Sequence, residues 1–224
     1  MKQGCLQPQK QPDKQCNECH LPLFACLCDI IPTLSSAITF WIIQHDNEPA
    51  KSTNTGWLIR ASMPKTRVFI WRRVLPDTLL LRLLRDSTYQ PCLVFPSIYA
   101  VAKQPVFTPV SFKKNKKRPV FIIIDATWQQ ARKIYRKSLY LHHLPLFSFL
   151  SNTSSIYTLR RNKHHHHLCT AEIAAAVLDS QGDVQQASVM MSLLQVFCDR
   201  YEGAKLGQRP DNYFDVRRIT KGVV

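Results

Sequence analysis

The stretch Val120-Phe121-Ile122-Ile123-Ile124-Asp125-Ala126-Thr127-Trp128 decides the fold of this chain. Five apolar residues in a row, β-branched except Phe121, read as a strand. Unbroken rather than alternating hydrophobicity predicts that both faces of that strand are covered. Residues 128–137 then follow a helical pattern whose C-terminal end carries Arg136 and Lys137, where the helix dipole favours cations. A buried strand, a short turn and a helix form the unit of a parallel α/β sheet. In such sheets ligands bind outside the carboxyl ends of the strands. Asp125 is therefore a candidate to accept a proton or orient a substrate group. Thr127 offers a hydroxyl, and Trp128 a flat π face for an adenine or a cation. The plainer alternative is a helix N-cap from Asp125 or Thr127 with Trp128 as core filler, and spacing alone leaves the two readings level.

Working outward, strand-like and helix-like stretches alternate. Residues 38–44, 68–71, 92–95 and 146–150 read as strands. Residues 52–61 read as a helix, and so do residues 78–86, which Asp77 can cap. Thr170 can cap a helix running to about residue 178. Asp183 and Gln186 are spaced as a capping box for a last long helix. This alternation predicts an α/β domain with a mainly parallel sheet. Residues 1–15 and 206–224 read as tails, and residues 16–32 as a separate cysteine module.

The whole chain has 224 residues, enough to bury a core without disulfides. Its charge is the outlier: 30 Lys and Arg against 15 Asp and Glu, a net +15. Such an excess implies a polyanionic partner, nucleic acid before membrane. No apolar run approaches the roughly 18–20 residues of a spanning helix. The polar, proline-bearing start lacks a secretory h-region. A cytoplasmic, monomeric protein is the expectation, and in a reducing compartment clustered cysteines suggest metal or chemistry.

Four of the eight cysteines fall in two close pairs, Cys16/Cys19 and Cys26/Cys28. Two such pairs can supply four thiolates to one tetrahedral Zn²⁺. Cysteines as small core hydrophobes, a redox CxxC, or His20 in place of one thiolate are the alternatives. The turn Ser52-Thr-Asn54-Thr55-Gly56 is rich in hydrogen-bonding groups and precedes a helix, a place to hold a phosphate or carboxylate, though most such turns are plain loops. Basic clusters Lys113, Lys114, Lys116, Lys117, then Arg132, Lys133, Arg136 and Lys137, then Arg160 and Arg161 ahead of the run His164–His167, are solvated faces or an RNA-phosphate edge. The global excess of charge favours the second.

In order, these pieces resemble the DTW-domain family, the tRNA-uridine aminocarboxypropyltransferases. The resemblance runs from Cys16 to about Lys205. It rests on the cysteine cluster with Leu21-Pro22; Gln44-His45 and Glu48; Asn54-Thr55-Gly56; Phe95-Pro96-Ser97; Asp125 with Thr127-Trp128-Gln-Gln-Ala131-Arg132; Leu144-Pro145; Ser155, Tyr157 and Arg160; and Cys169-Thr170-Ala-Glu172. The tail Tyr201-Glu-Gly-Ala-Lys205 is similar to the bacterial branch. Asp46-Asn47 departs from the family, which tends to have a proline after the histidine.

The resemblance implies a knotted, SPOUT-like α/β catalytic domain over residues 33–205. It implies transfer of the 3-amino-3-carboxypropyl group of S-adenosylmethionine (SAM) to N3 of a tRNA uridine, with methylthioadenosine as co-product. SAM would lie against Asn54, Thr55, Gly56, Pro96, Ser97, Thr127, Trp128 and Thr170. Asp125 would be the base or orienter, with Glu172 the alternative. The competing readings are a SAM-dependent RNA methyltransferase of the same fold and a non-catalytic zinc protein that binds RNA.

Overall fold

The computed structural model describes residues 14–112, 116–149, 155–159 and 168–208. The apolar run at 120–124 lies inside a six-stranded sheet in which every pairing is parallel. The strands are β1 (Thr39–Gln44), β2 (Arg67–Ile70), β3 (Tyr89–Val94), β4 (Val106–Phe107), β5 (Arg118–Asp125) and β6 (Leu146–Phe147), in the order β2-β1-β5-β3-β6-β4. The helices are α1 (Gly56–Ser62), α2 (Thr78–Leu84), α3 (Trp128–Lys137), α4 (Thr170–Ser180) and α5 (Val184–Lys205).

Side chains alternate across a strand, so the central strands feed two cores. Phe121 and Ile123 join Phe40, Ile42 and Cys92 beneath α1, α4 and α5. Val120, Ile122 and Ile124 join Trp41, Ile43 and Leu93 beneath α2 and α3. Each isoleucine of β5 thus contributes the roughly 1.5–3 kcal/mol of a fully buried aliphatic side chain. That double coverage is why β5 reads as a continuous apolar run. The cysteine module shares the first core: Leu21, Ala25 and Leu27 are buried there beside α5.

The chain leaves β1 for α1 on one face and leaves β5 for α3 on the other. Adjacent parallel strands whose connections go to opposite faces open a crevice at their carboxyl ends. Gln44 and Asp125, paired in register, stand at that point.

Three local expectations are adjusted. The first helix begins at Gly56 rather than near 52, because Asn54 and Thr55 turn their side chains to tertiary partners. Cys169 rather than Thr170 caps α4, which frees the Thr170 hydroxyl. Asp183 is the N-cap residue of α5, but its side chain makes no capping bond, because its carboxylate accepts a hydrogen bond from the Ser36 hydroxyl instead.

Candidate functional site

Asp125 ends β5 only 2% exposed. Gln44 Nε2 donates to its Oδ2 at 2.8 Å and Asn54 Nδ2 to the same oxygen at 2.7 Å, while the Thr170 hydroxyl donates to Oδ1 at 2.5 Å. Burial pushes the Asp125 carboxyl above the usual carboxylate range. The donated bonds from Thr170, Asn54 and Gln44 oppose that rise, and the charge of nearby Glu48 adds to it. Glu48 is itself buried, held by Lys51 and, at 3.3 Å, by Asn54. Gly56 is needed for close approach: a Cβ there would lie 2.6 Å from Asp125 Oδ2. Thr55 accepts from the Ala171 N–H at 3.3 Å, tying this turn to the start of α4.

Beside this network lies a cavity of about 380 Å³, within the range of small-ligand pockets. The ends of β3, β5 and β6 and the first turns of α3 and α4 wall it. Trp128 stacks on Phe95 with centroids 5.6 Å apart and meets Tyr99 edge-on, also at 5.6 Å. Pro96 and Thr170 line the same space. Asp125 does not line it; Thr170 stands between the carboxylate and the cavity. Ser97 does not line it, but its N–H donates at 3.1 Å to the hydroxyl of Ser148, which does.

Two of the site residues proposed from sequence carry structural duties. Thr127 is exposed and forms a reciprocal capping box with Gln130 at the start of α3. Glu172 accepts from the Ser155 hydroxyl and from the N–H groups of Ile156 and Cys169, which fastens residues 155–159 to α4. Three contributors were given no role from the sequence, although Gln44 and Phe95 fall in stretches that carry the resemblance. Gln44 and the aromatic wall of Phe95 and Tyr99 become visible only when strand order places neighbouring carboxyl ends together.

Of the basic clusters, Arg132, Lys133, Arg136 and Lys137 are exposed on α3. Lys116 and Lys117 precede β5, at the opposite end of the strand from Asp125. At about 3.3 Å per residue the length of that strand puts them more than roughly 20 Å away. Lys113, Lys114, Arg160, Arg161 and His164–His167 lie outside the described residues.

The four cysteine sulfurs converge, all within 4.8 Å of one another, with Cys16–Cys28 and Cys19–Cys26 both at 3.7 Å. A tetrahedron of sulfurs about 2.3 Å from a central ion has edges of about 3.8 Å, so the group fits one metal ion. A turn closes around it: Cys16 N–H bonds Leu21 C=O, His20 N–H bonds Cys16 C=O, and His20 takes a left-handed φ of 57°. His20 is not in the sulfur group.

Residues 13–202 match the DTW domain. The chain belongs to the DTW domain family. It is 28% identical over 199 residues to tRNA-uridine aminocarboxypropyltransferase 2 of Macaca fascicularis, covering 82% of this chain and 62% of that protein. It is 28% identical over 186 residues to the protein of the same name from Drosophila melanogaster, covering 78% of this chain and 70% of the relative. The Mus musculus protein is 27% identical over 199 residues, with 62% of its length covered. The DTW chain thus spans a little under two thirds of its mammalian relatives. No solved structure matches it.

Proposed function

We propose that this DTW protein transfers the 3-amino-3-carboxypropyl group of SAM to N3 of a tRNA uridine. The observation that carries this reading is the aromatic cavity at the strand ends with a buried, proton-accepting carboxylate reached through a single hydroxyl. Family membership and the relatives' names support it.

The cation of SAM suits the π faces of Phe95, Tyr99 and Trp128. All three carbons on its sulfur are electrophilic, so the group that moves is the one the cavity aligns with the nucleophile. The Thr170 hydroxyl donates to Asp125, so its lone pairs face the cavity as an acceptor. An imide N3–H donates to that oxygen. As N3 attacks the chain carbon bonded to sulfur, the N3 proton passes to Thr170 Oγ and the Thr170 proton passes to Asp125. The C–S electron pair returns to sulfur, and neutral methylthioadenosine leaves. Asp125 is the base in this scheme and Thr170 the relay. Asn54 and Gln44 fix the carboxylate, while Thr55 and Gly56 set its distance from α1 and α4. Glu172 positions the start of α4.

The finer parts of the reading are proposals too. The ion at Cys16, Cys19, Cys26 and Cys28 is Zn²⁺ in a structural role, since four thiolates leave no open position. Residues 16–32 form that module and residues 33–205 the catalytic body. The knotted SPOUT-like architecture is supported by β6 lying between β3 and β4, two strands joined by their own crossover. The protein works as a monomer in the cytoplasm; no helix among the described residues is long and apolar enough to cross a membrane. The test is transfer of label to tRNA from SAM labelled in the aminocarboxypropyl chain. Label retained on RNA supports the reading. Incorporation only from methyl-labelled SAM makes the protein a methyltransferase, and binding without either transfer makes it a non-catalytic RNA-binding protein.

A further inference from the structure

Among the described helices, positive charge is unevenly divided between the two faces of the sheet. Residues 56–62 and 170–205, which supply α1, α4 and α5, carry five carboxylates against three cations. The opposite face is built by α2, α3 and the loop from β2 to α2. Residues 71–86 and 128–137 bring eight cations there against two carboxylates.

Local structure explains why these cations point outward. Ala131, Ile134 and Tyr135 turn one side of α3 to the core, so Arg132, Lys133, Arg136 and Lys137 take the other. Leu80 and Leu83 do the same in α2, leaving Arg82 and Arg85 exposed. Arg72 and Arg73 are exposed in the loop, which then presents Val74 at 91% and Leu75 at 66% exposure. The two acids are occupied locally: Asp77 accepts from the Leu80 N–H at 3.0 Å and Asp86 from the Thr88 N–H at 2.9 Å. Among the described residues none of the eight cations makes an ion pair. Like charges left unpaired on one surface repel one another, and a polyanion laid across them relieves that cost.

The face also leads to the cavity. Arg132 lies one helical turn beyond Trp128, and its guanidinium sits 5.4 Å from the Tyr99 ring centroid. Trp128 and Tyr99 are both cavity walls. A strand held on α2 and α3 therefore reaches the aromatic opening without crossing the acidic face.

We infer that the α2–α3 face, with the Arg72-Arg73-Val74-Leu75 loop as its outer arm, is the surface on which the RNA backbone docks. Phosphates pair with the helix cations. The loop adds two cations and an apolar tip that packs against a sugar or an exposed base. The inference rests on the transferase reading only in naming tRNA as the RNA.

The experiment is the salt dependence of binding to an unmodified tRNA transcript for three double variants. Arg72→Ala/Arg73→Ala and Lys133→Ala/Arg136→Ala each remove two cations from the face. Lys14→Ala/Lys205→Ala removes the same charge elsewhere. Every phosphate left without its cation lowers the log–log slope by about 0.7–0.9, so each face variant is expected to fall by roughly 1.4–1.8 in slope while the control keeps the wild-type value. Circular dichroism melting of each variant checks its fold. An equal fall in all three variants, or none in the face variants, overturns the inference. So does binding to phosphatidylcholine–phosphatidylserine vesicles that tRNA fails to displace. Wild-type protein that binds tRNA through this face but forms no product sinks the transferase reading and leaves the docking face standing. Transfer that proceeds while the face variants bind normally does the reverse.

Discussion

At Asp125, the base of the proposed transfer, the environment would make a weak base into a usable one. A free aspartate, with a pKa near 3.9, holds a proton poorly at neutral pH. Burial at the end of β5 disfavours the charged form and raises that value, even against three donated hydrogen bonds. The sign follows for catalysis: the base must be ionised, so the rate rises with pH through the raised pKa and then levels. The acid limb is expected above the ordinary aspartate range in single-turnover pH profiles. Thr170→Val removes the relay hydroxyl at nearly constant shape, and general-base help is worth roughly 10²–10⁴-fold. A rate loss of that order is expected, with SAM affinity nearly unchanged and activity largely restored by Thr170→Ser. Near-normal turnover by Thr170→Val would remove the relay and require a direct path to Asp125. Gly56 tests the same network sterically. Gly56→Ala places a methyl group 2.6 Å from Asp125 Oδ2, and that carboxylate can shift only by disturbing its bonds from Gln44, Asn54 and Thr170. Lower thermal stability together with impaired SAM binding is expected. A variant as stable and as active as wild type would show that the turn relaxes freely.

At the scale of elements, the cysteine module is the part that the proposed zinc ion would tie together. Its few residues bury Leu21, Ala25 and Leu27 against α5, while four thiols face one another. One zinc per chain is expected by metal analysis of protein purified without chelators. Cys19→Ser should lose that metal and melt earlier, each kcal/mol lost lowering the midpoint by about 2–4 °C in a chain of this size. Stoichiometric zinc retained by Cys19→Ser would displace Cys19 from the ligand set. The pairing of these cysteines was legible because ligand spacing is local. The helix α3 was legible at both ends for the same reason, with the capping chemistry of Thr127 and the apolar positions 131, 134 and 135 all within ten residues. The start of α1 was not legible. Asn54 and Thr55 commit their side chains to partners 71 and 116 residues away, Asp125 and Ala171, and no local pattern announces such a bond. Asp183 takes the expected N-cap position of α5, but its side-chain capping bond is lost for the same cause, since its partner Ser36 lies 147 residues distant.

For the molecule as a whole, the parallel sheet followed from one saturated strand, but the strand order did not. Periodicity reports which residues are buried and not which strand lies beside which. The Gln44–Asp125 pairing, the Phe95–Tyr99–Trp128 wall and the division of charge between the faces all depend on that order. Together they make one account: RNA held on the cationic face, a uridine reaching the aromatic cavity, and its N3 proton drawn through Thr170 to Asp125. The most direct test is to incubate the protein with unmodified tRNA and SAM, digest the RNA, and measure nucleosides and the adenosyl product together by mass spectrometry. The account predicts 3-(3-amino-3-carboxypropyl)uridine and methylthioadenosine in equal amounts. S-adenosylhomocysteine with a methylated nucleoside, or SAM left unconsumed by folded, tRNA-binding protein, would contradict it.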